Sequence, residues 1–110
     1  MKNIIVQKFG GTSVGSVERI LAVANIIKLA FKNEFPVVVV SAMGKETDRL
    51  VMLAKGISKN PEKRELDALL STGEKVSASL LAMQLNEIGI KAKSFSAAQI
   101  SMKTTSQYSK

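Results

Sequence analysis

Apolar and polar positions change rhythm several times along the chain. Ile4 to Phe9 is a short run that predicts a buried strand. From Val17 the rhythm becomes helical: Val17, Ile20, Leu21, Ala24, Ile27 and Phe31 share one stripe, with Arg19, Lys28 and Lys32 off it. Ser16 is placed to cap this helix, and Glu18 suits the positive end of its dipole. The helix should end near Asn33, because Pro36 cannot continue it. Val37 to Val40 are four β-branched residues in a row, which predicts a strand covered on both faces of a parallel sheet. Strand, helix and strand make one βαβ unit.

Thr47 is placed to cap a second helix carrying Leu50, Val51, Leu53, Ala54 and Ile57. Ser58 to Lys63, with Asn60-Pro61, predicts a turn. Glu65 to Leu70 predicts a short helix that Ser71-Thr72-Gly73-Glu74 interrupts. A longer helix then carries Val76, Leu80, Leu81, Met83, Leu85 and Ile88, closed by Gly89 as its C-terminal cap. Met43 is expected in loop packing and Met83 in the core. Ile90 to Phe95 alternates in part and predicts a third strand. Beyond Gln99 the periodicity fades, so residues 1–99 are expected to form one folded unit and 100–110 a loosely ordered tail.

The chain has 110 residues, a length that suits one domain. Hydrophobic residues make up 45% but aromatics only 5%, so the core must be aliphatic. Cysteine and histidine are absent, which excludes disulfides, Cys or His metal sites, and Ser-His or Cys-His catalysis. Carboxylates remain as magnesium ligands. The net charge of +7 favours anionic partners, yet the lysines are scattered and few aromatics can stack bases, so no nucleic-acid partner is expected. No apolar stretch reaches the roughly 18 residues of a membrane span, and no signal peptide is read at the start; the expected location is cytoplasmic.

Small polar residues gather at three predicted junctions. Lys8-Phe9-Gly10-Gly11-Thr12-Ser13-Val14-Gly15 lies between the first strand and the first helix. Glycines there let the backbone approach an anion, and free N–H groups at a helix start attract one. Ser41 to Thr47 follows the second strand, and Ser71 to Glu74 is read at a helix start. Loops after parallel strands share the sheet edge where ligands collect. Neither familiar phosphate frame fits. A Walker A loop needs a lysine after its glycines, whereas Lys8 precedes them. A dinucleotide fingerprint needs an acidic residue ending the second strand, where Ser41 stands. The plain alternatives are turn geometry for the glycines, capping for Ser41 and Thr47, and a first-turn helix glutamate for Glu74. Lys45 reads as a solvated loop charge.

The stretch Lys8 to Val14 resembles the opening motif of the aspartate kinases, within the amino-acid kinase family. Val38-Val39-Val40-Ser41-Ala42-Met43-Gly44-Lys45-Glu46-Thr47-Asp48-Arg49-Leu50 is similar to that family's second loop, and Leu70-Ser71-Thr72-Gly73-Glu74 to its third. The three occur in order, and the resemblance covers residues 1 to about 99. It implies an α/β fold, a three-layer α/β/α arrangement with a mainly parallel sheet, here truncated. It also implies phosphorylation of L-aspartate by ATP with Mg²⁺. Lys8 would then neutralise charge on the phosphoryl group; Gly10, Gly11, Ser13 and Gly44 would line the phosphate site. Ser41 and Thr47 would contact aspartate, and Glu74 would pair with its α-ammonium. No metal ligand is assigned.

Aspartate kinases are several times longer than this chain, and Ile100 to Lys110 departs from their usual continuation. Two readings follow: an N-terminal segment of the enzyme with little activity alone, or a non-catalytic remnant that keeps an anion site. A third is an amino-acid kinase acting on a glutamate-type substrate. The chain is expected either to self-associate over an open sheet edge or to need a complementary half.

Overall fold

Five elements follow one another in the computed structural model, which describes residues 2–96: β1 (Asn3–Phe9), α1 (Val17–Phe31), β2 (Glu34–Val40), α2 (Glu46–Ile57) and α3 (Lys63–Glu87). The expected polar tail lies outside the described residues. β1 and β2 pair in parallel without a slip, from Asn3 opposite Glu34 to Phe9 opposite Val40. β2 starts before the valine run and includes Pro36, opposite Ile5. Proline has no N–H to give, and it is tolerated where a strand has a neighbour on one side only.

The first helix forms where its pattern predicts, but the buried stripe is shifted: Val17 and Leu21 of the predicted stripe are exposed, and Val23 is buried instead. Ser16 is extended, and its hydroxyl accepts a hydrogen bond from the Arg19 N–H at 3.2 Å. Ile20, Val23, Ala24 and Ile27 are buried against the sheet and α3. They join Val14, Val40, Leu81, Leu85 and Ile90 in one aliphatic core, flanked by Phe9, Val38 and Met43. At the far end of the unit, the Lys2 ammonium donates to the Phe31 carbonyl and lies 4.1 Å from the centre of its ring.

Several local expectations need correction. The valine run is not covered on both faces: Val38 and Val40 turn towards the helices, while Val37 and Val39 remain 44% and 48% exposed. Ile4, Val6 and Phe35 share that exposed side, so β1 is not the buried strand expected either, because the helices that reach the sheet pack on the other one. Of the expected layers, the described residues build the parallel sheet and the helices on this one face. Thr47 does not cap α2, which starts one residue earlier; Lys45 occupies the capping position without a side-chain bond. Met83 is not in the core but 64% exposed.

The largest correction concerns Ser71 to Glu74, which does not interrupt a helix. α3 runs unbroken from Lys63 to Glu87. The hydroxyls fold back onto their own helix: Ser71 donates to the Ala68 carbonyl at 2.8 Å and Thr72 to Leu69 at 2.7 Å. Leu81 and Leu85, buried beyond the glycine, anchor the second half of the helix, so packing outweighs the weak helical preference of Gly73.

Ile90 to Phe95 is also not a strand. The Asn86 side chain takes the place of a neighbouring strand at Ala92: its oxygen accepts the Ala92 N–H at 3.0 Å, and its nitrogen donates to the Ala92 carbonyl at 3.2 Å. Gly89 does close α3 as expected. It sits at φ +89°, the Ile90 N–H returns to the Leu85 carbonyl at 2.8 Å, and the Gly89 N–H to Asn86 at 3.1 Å. Leu85 and Ile90 are both buried, completing a Schellman cap with its apolar contact.

This cap yields a stability prediction. A Cβ at Gly89 would meet nothing within 4 Å, so the whole effect of Gly89→Ala is conformational. A left-handed L-residue is unfavourable by about 1–2 kcal/mol. Gly56, inside α2 and equally uncrowded, has no such backbone constraint. Urea denaturation should show Gly89→Ala lowering the midpoint and Gly56→Ala raising stability by about 0.5–1 kcal/mol.

Candidate active site

Because β1 and β2 end opposite each other, the loops that leave them emerge side by side. The Phe9 carbonyl accepts the Ser41 N–H at 3.0 Å, and the Gly11 carbonyl accepts the Gly44 N–H at 2.9 Å. Those two bonds stitch the first motif to the second. Gly11 is needed for the approach: a Cβ there would lie 3.0 Å from the Ala42 carbonyl oxygen and 3.2 Å from that of Gly44. Gly44 itself turns at φ +49°. Val14 is fully buried and pins the far side of the first loop into the core.

The third motif arrives from α3. Gly73 is buried, and a Cβ on it would come within 2.8 Å of the Ala42 Cβ. Glu46 Cγ and Leu50 Cδ1, both from α2, would be 3.5 Å from the same point. The loop after β1, the loop after β2, the start of α2 and the middle of α3 therefore converge around Ala42.

Each predicted site residue can now be placed. Lys8 lies opposite Val39, exposed on the bare side of the sheet close to its C-terminal edge. Gly10 is exposed, and a Cβ there would meet nothing within 4 Å. Ser13, Ser41, Gly44, Thr47 and Glu74 are exposed too. Backbone bonds join the loops carrying Gly11, Ser41 and Gly44 directly, and Glu74 follows the glycine that touches Ala42. Among the described residues, no hydrogen bond or ion pair engages the side-chain polar groups of Lys8, Ser13, Ser41, Thr47 or Glu74. No such bond links Lys8 to Glu74. Glu74 is not a first-turn glutamate, since it stands mid-helix, so the dipole explanation for it falls away. Neither Ser41 nor Thr47 serves as a cap.

Two features of the site escaped the sequence reading. One is the contact of Gly73 with Ala42; a glycine inside an otherwise good helical pattern was its only signal. The other is an ion pair in the first turns of α2. The Arg49 guanidinium grips the Glu46 carboxylate with three hydrogen bonds of 2.5, 3.0 and 3.1 Å. Their i, i+3 spacing is the helical spacing for such a pair. The bond from Arg49 holds the Glu46 carboxyl below its ordinary value of 4.5.

A parallel βαβ unit whose two glycine-containing loops are bonded together at one sheet edge, with a third helix resting on them, defines an α/β protein. Residues 3–109 match the model of the amino acid kinase family, and the chain belongs to that family. Its sequence is 63% identical over 102 residues to an aspartokinase of Geobacillus stearothermophilus, across 92% of this chain and 25% of that protein. It is 58% identical to aspartokinase 2 of Bacillus subtilis, with the same coverage of 92% and 25%. The crystal structure of an aspartate kinase from Synechocystis superposes with a TM-score of 0.82 at 61% identity, covering 84% of this chain and 16% of that one. The chain thus spans about a quarter of the length of the curated relatives it matches.

Gly10 faces open space, and the Lys8 ammonium is exposed with no partner among the described residues. Among the described residues, no group of three or more His, Cys, Asp or Glu side chains converges, and no residue is assigned as a metal ligand.

The Glu46–Arg49 pair carries a pH prediction. A depressed carboxyl value in the folded state means that the pair stabilises α2 above the ordinary carboxylate value and loses that contribution as pH falls through the lowered one. Carbon-detected NMR titration should find Glu46 ionising below 4.5, and Arg49→Ala should return it to about 4.5. An unchanged Glu46 titration in Arg49→Ala would show that the pair does not form in solution.

Proposed function

We propose that this chain supplies the phosphate- and aspartate-facing edge of an ATP-dependent aspartate kinase. The observation that carries this reading is the convergence of all three motifs around Ala42, stitched by the Ser41–Phe9 and Gly44–Gly11 backbone bonds. In this reading the β-carboxylate of L-aspartate attacks the γ-phosphorus of ATP. A new P–O bond forms, the bond to the β-phosphate oxygen breaks, and the products are 4-phospho-L-aspartate and ADP.

A carboxylate is already ionised at neutral pH, so the reaction needs no general base, and a chain without histidine meets that condition. The barrier is repulsion between two anions. Lys8 offsets it with a full charge, and the N–H groups of Gly10 and Gly11 with fixed dipoles; Ser13 and Gly44 line the same loops. Mg²⁺ supplies further charge neutralisation when it accompanies ATP, and no residue of this chain is assigned to hold it. Ser41 and Thr47 orient the amino acid, and Glu74 takes its α-ammonium. The enzyme works in the cytoplasm on small-molecule substrates. No helix among the described residues is long and apolar enough to cross a membrane.

Calorimetric titration of the purified chain tests the site directly. L-aspartate should bind in preference to L-glutamate, and Glu74→Gln should weaken it by about tenfold or more, the worth of a charge-assisted hydrogen bond. A coupled assay for ADP release tests turnover, which Lys8→Ala should abolish. Binding of phosphate without L-aspartate selection would overturn the kinase reading in favour of an anion-binding module. Preference for L-glutamate would move it to a glutamate-type kinase.

The bare sheet face carries a proposal about assembly. Ile4, Val6, Phe35, Val37 and Val39 together present an apolar surface of the kind that soluble monomers bury. The isolated chain buries it against a second copy. Size-exclusion chromatography at micromolar concentration should show a species larger than 11.8 kDa, and Val37→Lys should convert it to monomer. A sharp monomer peak for the unaltered chain would refute this.

A further inference from the structure

We propose that Gly73 is a positioning residue. Its missing side chain lets α3 rest on Ala42, and that contact sets the distance between Glu74 on one side and Ser41 and Thr47 on the other. The inference rests on the aspartate reading of those three residues and adds the element that holds them in register.

Glycine is the poorest helix former after proline, yet Gly73 stands mid-helix and buried. Its neighbourhood explains its presence. A Cβ would approach the Ala42 Cβ to 2.8 Å, at least 0.6 Å short of the 3.4 Å at which ordinary contact begins. The two other neighbours, Glu46 Cγ and Leu50 Cδ1, would accept the same atom at 3.5 Å without strain. The obstruction is therefore a single atom pair. Ala42 cannot yield easily. It is 3% exposed, between Ser41, bonded to Phe9, and the turn at Gly44, bonded to Gly11. One turn further along α3, Ser77 is fully buried, so the helix lies close over this whole stretch.

The geometry makes the contact a ruler. Glu74 follows Gly73, Ser41 precedes Ala42, and Thr47 follows Glu46, whose side chain borders the same point. Moving α3 outward by half an ångström or more would separate Glu74 from Ser41 and Thr47 without touching Lys8, Gly10 or Gly11. The two ends of aspartate would then no longer be held together, while the phosphate loop stayed as it is. Small displacements of positioning groups change function by as much as about a hundredfold.

The test is a steric exchange. In Gly73→Ala, the affinity for L-aspartate measured by calorimetry should fall about tenfold, with ATP affinity changed less than about twofold. In Ala42→Gly/Gly73→Ala the extra atom has room, and L-aspartate affinity should return to within about threefold of the unaltered chain. Amide resonances of Ser41, Gly44 and Glu74 should shift in the single variant and return in the double one. Unchanged resonances and affinity in Gly73→Ala, or a double variant no better than the single one, would overturn the proposal. If Gly73→Ala fails to fold, recovery of the fold in the double variant supports the contact and continued unfolding refutes it. If the unaltered chain does not take L-aspartate at all, the kinase reading fails, and the resonances still decide whether Gly73 sets the spacing.

Discussion

The in-register parallel pairing of β1 with β2 is the constraint on which the site depends. Parallel strands point the same way, so their following loops leave from one edge. A register without a slip makes them leave level with each other. Only then can the Gly44 N–H reach the Gly11 carbonyl and the Ser41 N–H reach Phe9. A shift by one residue would turn Lys8 to the helical side and break both bonds. The core under α1 therefore does more than stabilise the unit: by fixing which side chains face inward, it fixes where the loops emerge.

The site is assembled from backbone on one side and side chains on the other. Gly10 faces open space, while Gly11 and Gly44 bring the two loops into backbone contact. Lys8, Ser41, Thr47 and Glu74 are exposed, and no hydrogen bond or ion pair among the described residues engages their side chains. Among the described residues, Glu46 and Arg49 form an ion pair in the first turns of α2, and no hydrogen bond engages the Thr47 hydroxyl beside it.

Much of this was legible in the residues because the signals were local. The stripe of α1, its Ser16 cap, the valine run and Gly89 each act through atoms within a turn of themselves. The failures were non-local. Ser71 to Glu74 looks like a break because serine, threonine and glycine favour turns. It remains helical because the hydroxyls bond back to Ala68 and Leu69, and because Leu81 and Leu85, beyond Gly73 on the same helix, are anchored in the core. The valines imply two covered faces, since composition records what a strand tolerates and not which elements lie beside it. The Ala42–Gly73 contact joins residues far apart in sequence and had no local mark.

Asn86 gives the segment after α3 a character of its own. By offering one donor and one acceptor from a single amide, it satisfies both backbone groups of Ala92 without any strand alongside. Extended chain that is content in this way does not advertise an open edge to its surroundings. The Asn86 amide thus leaves neither backbone group of Ala92 open to a neighbouring strand.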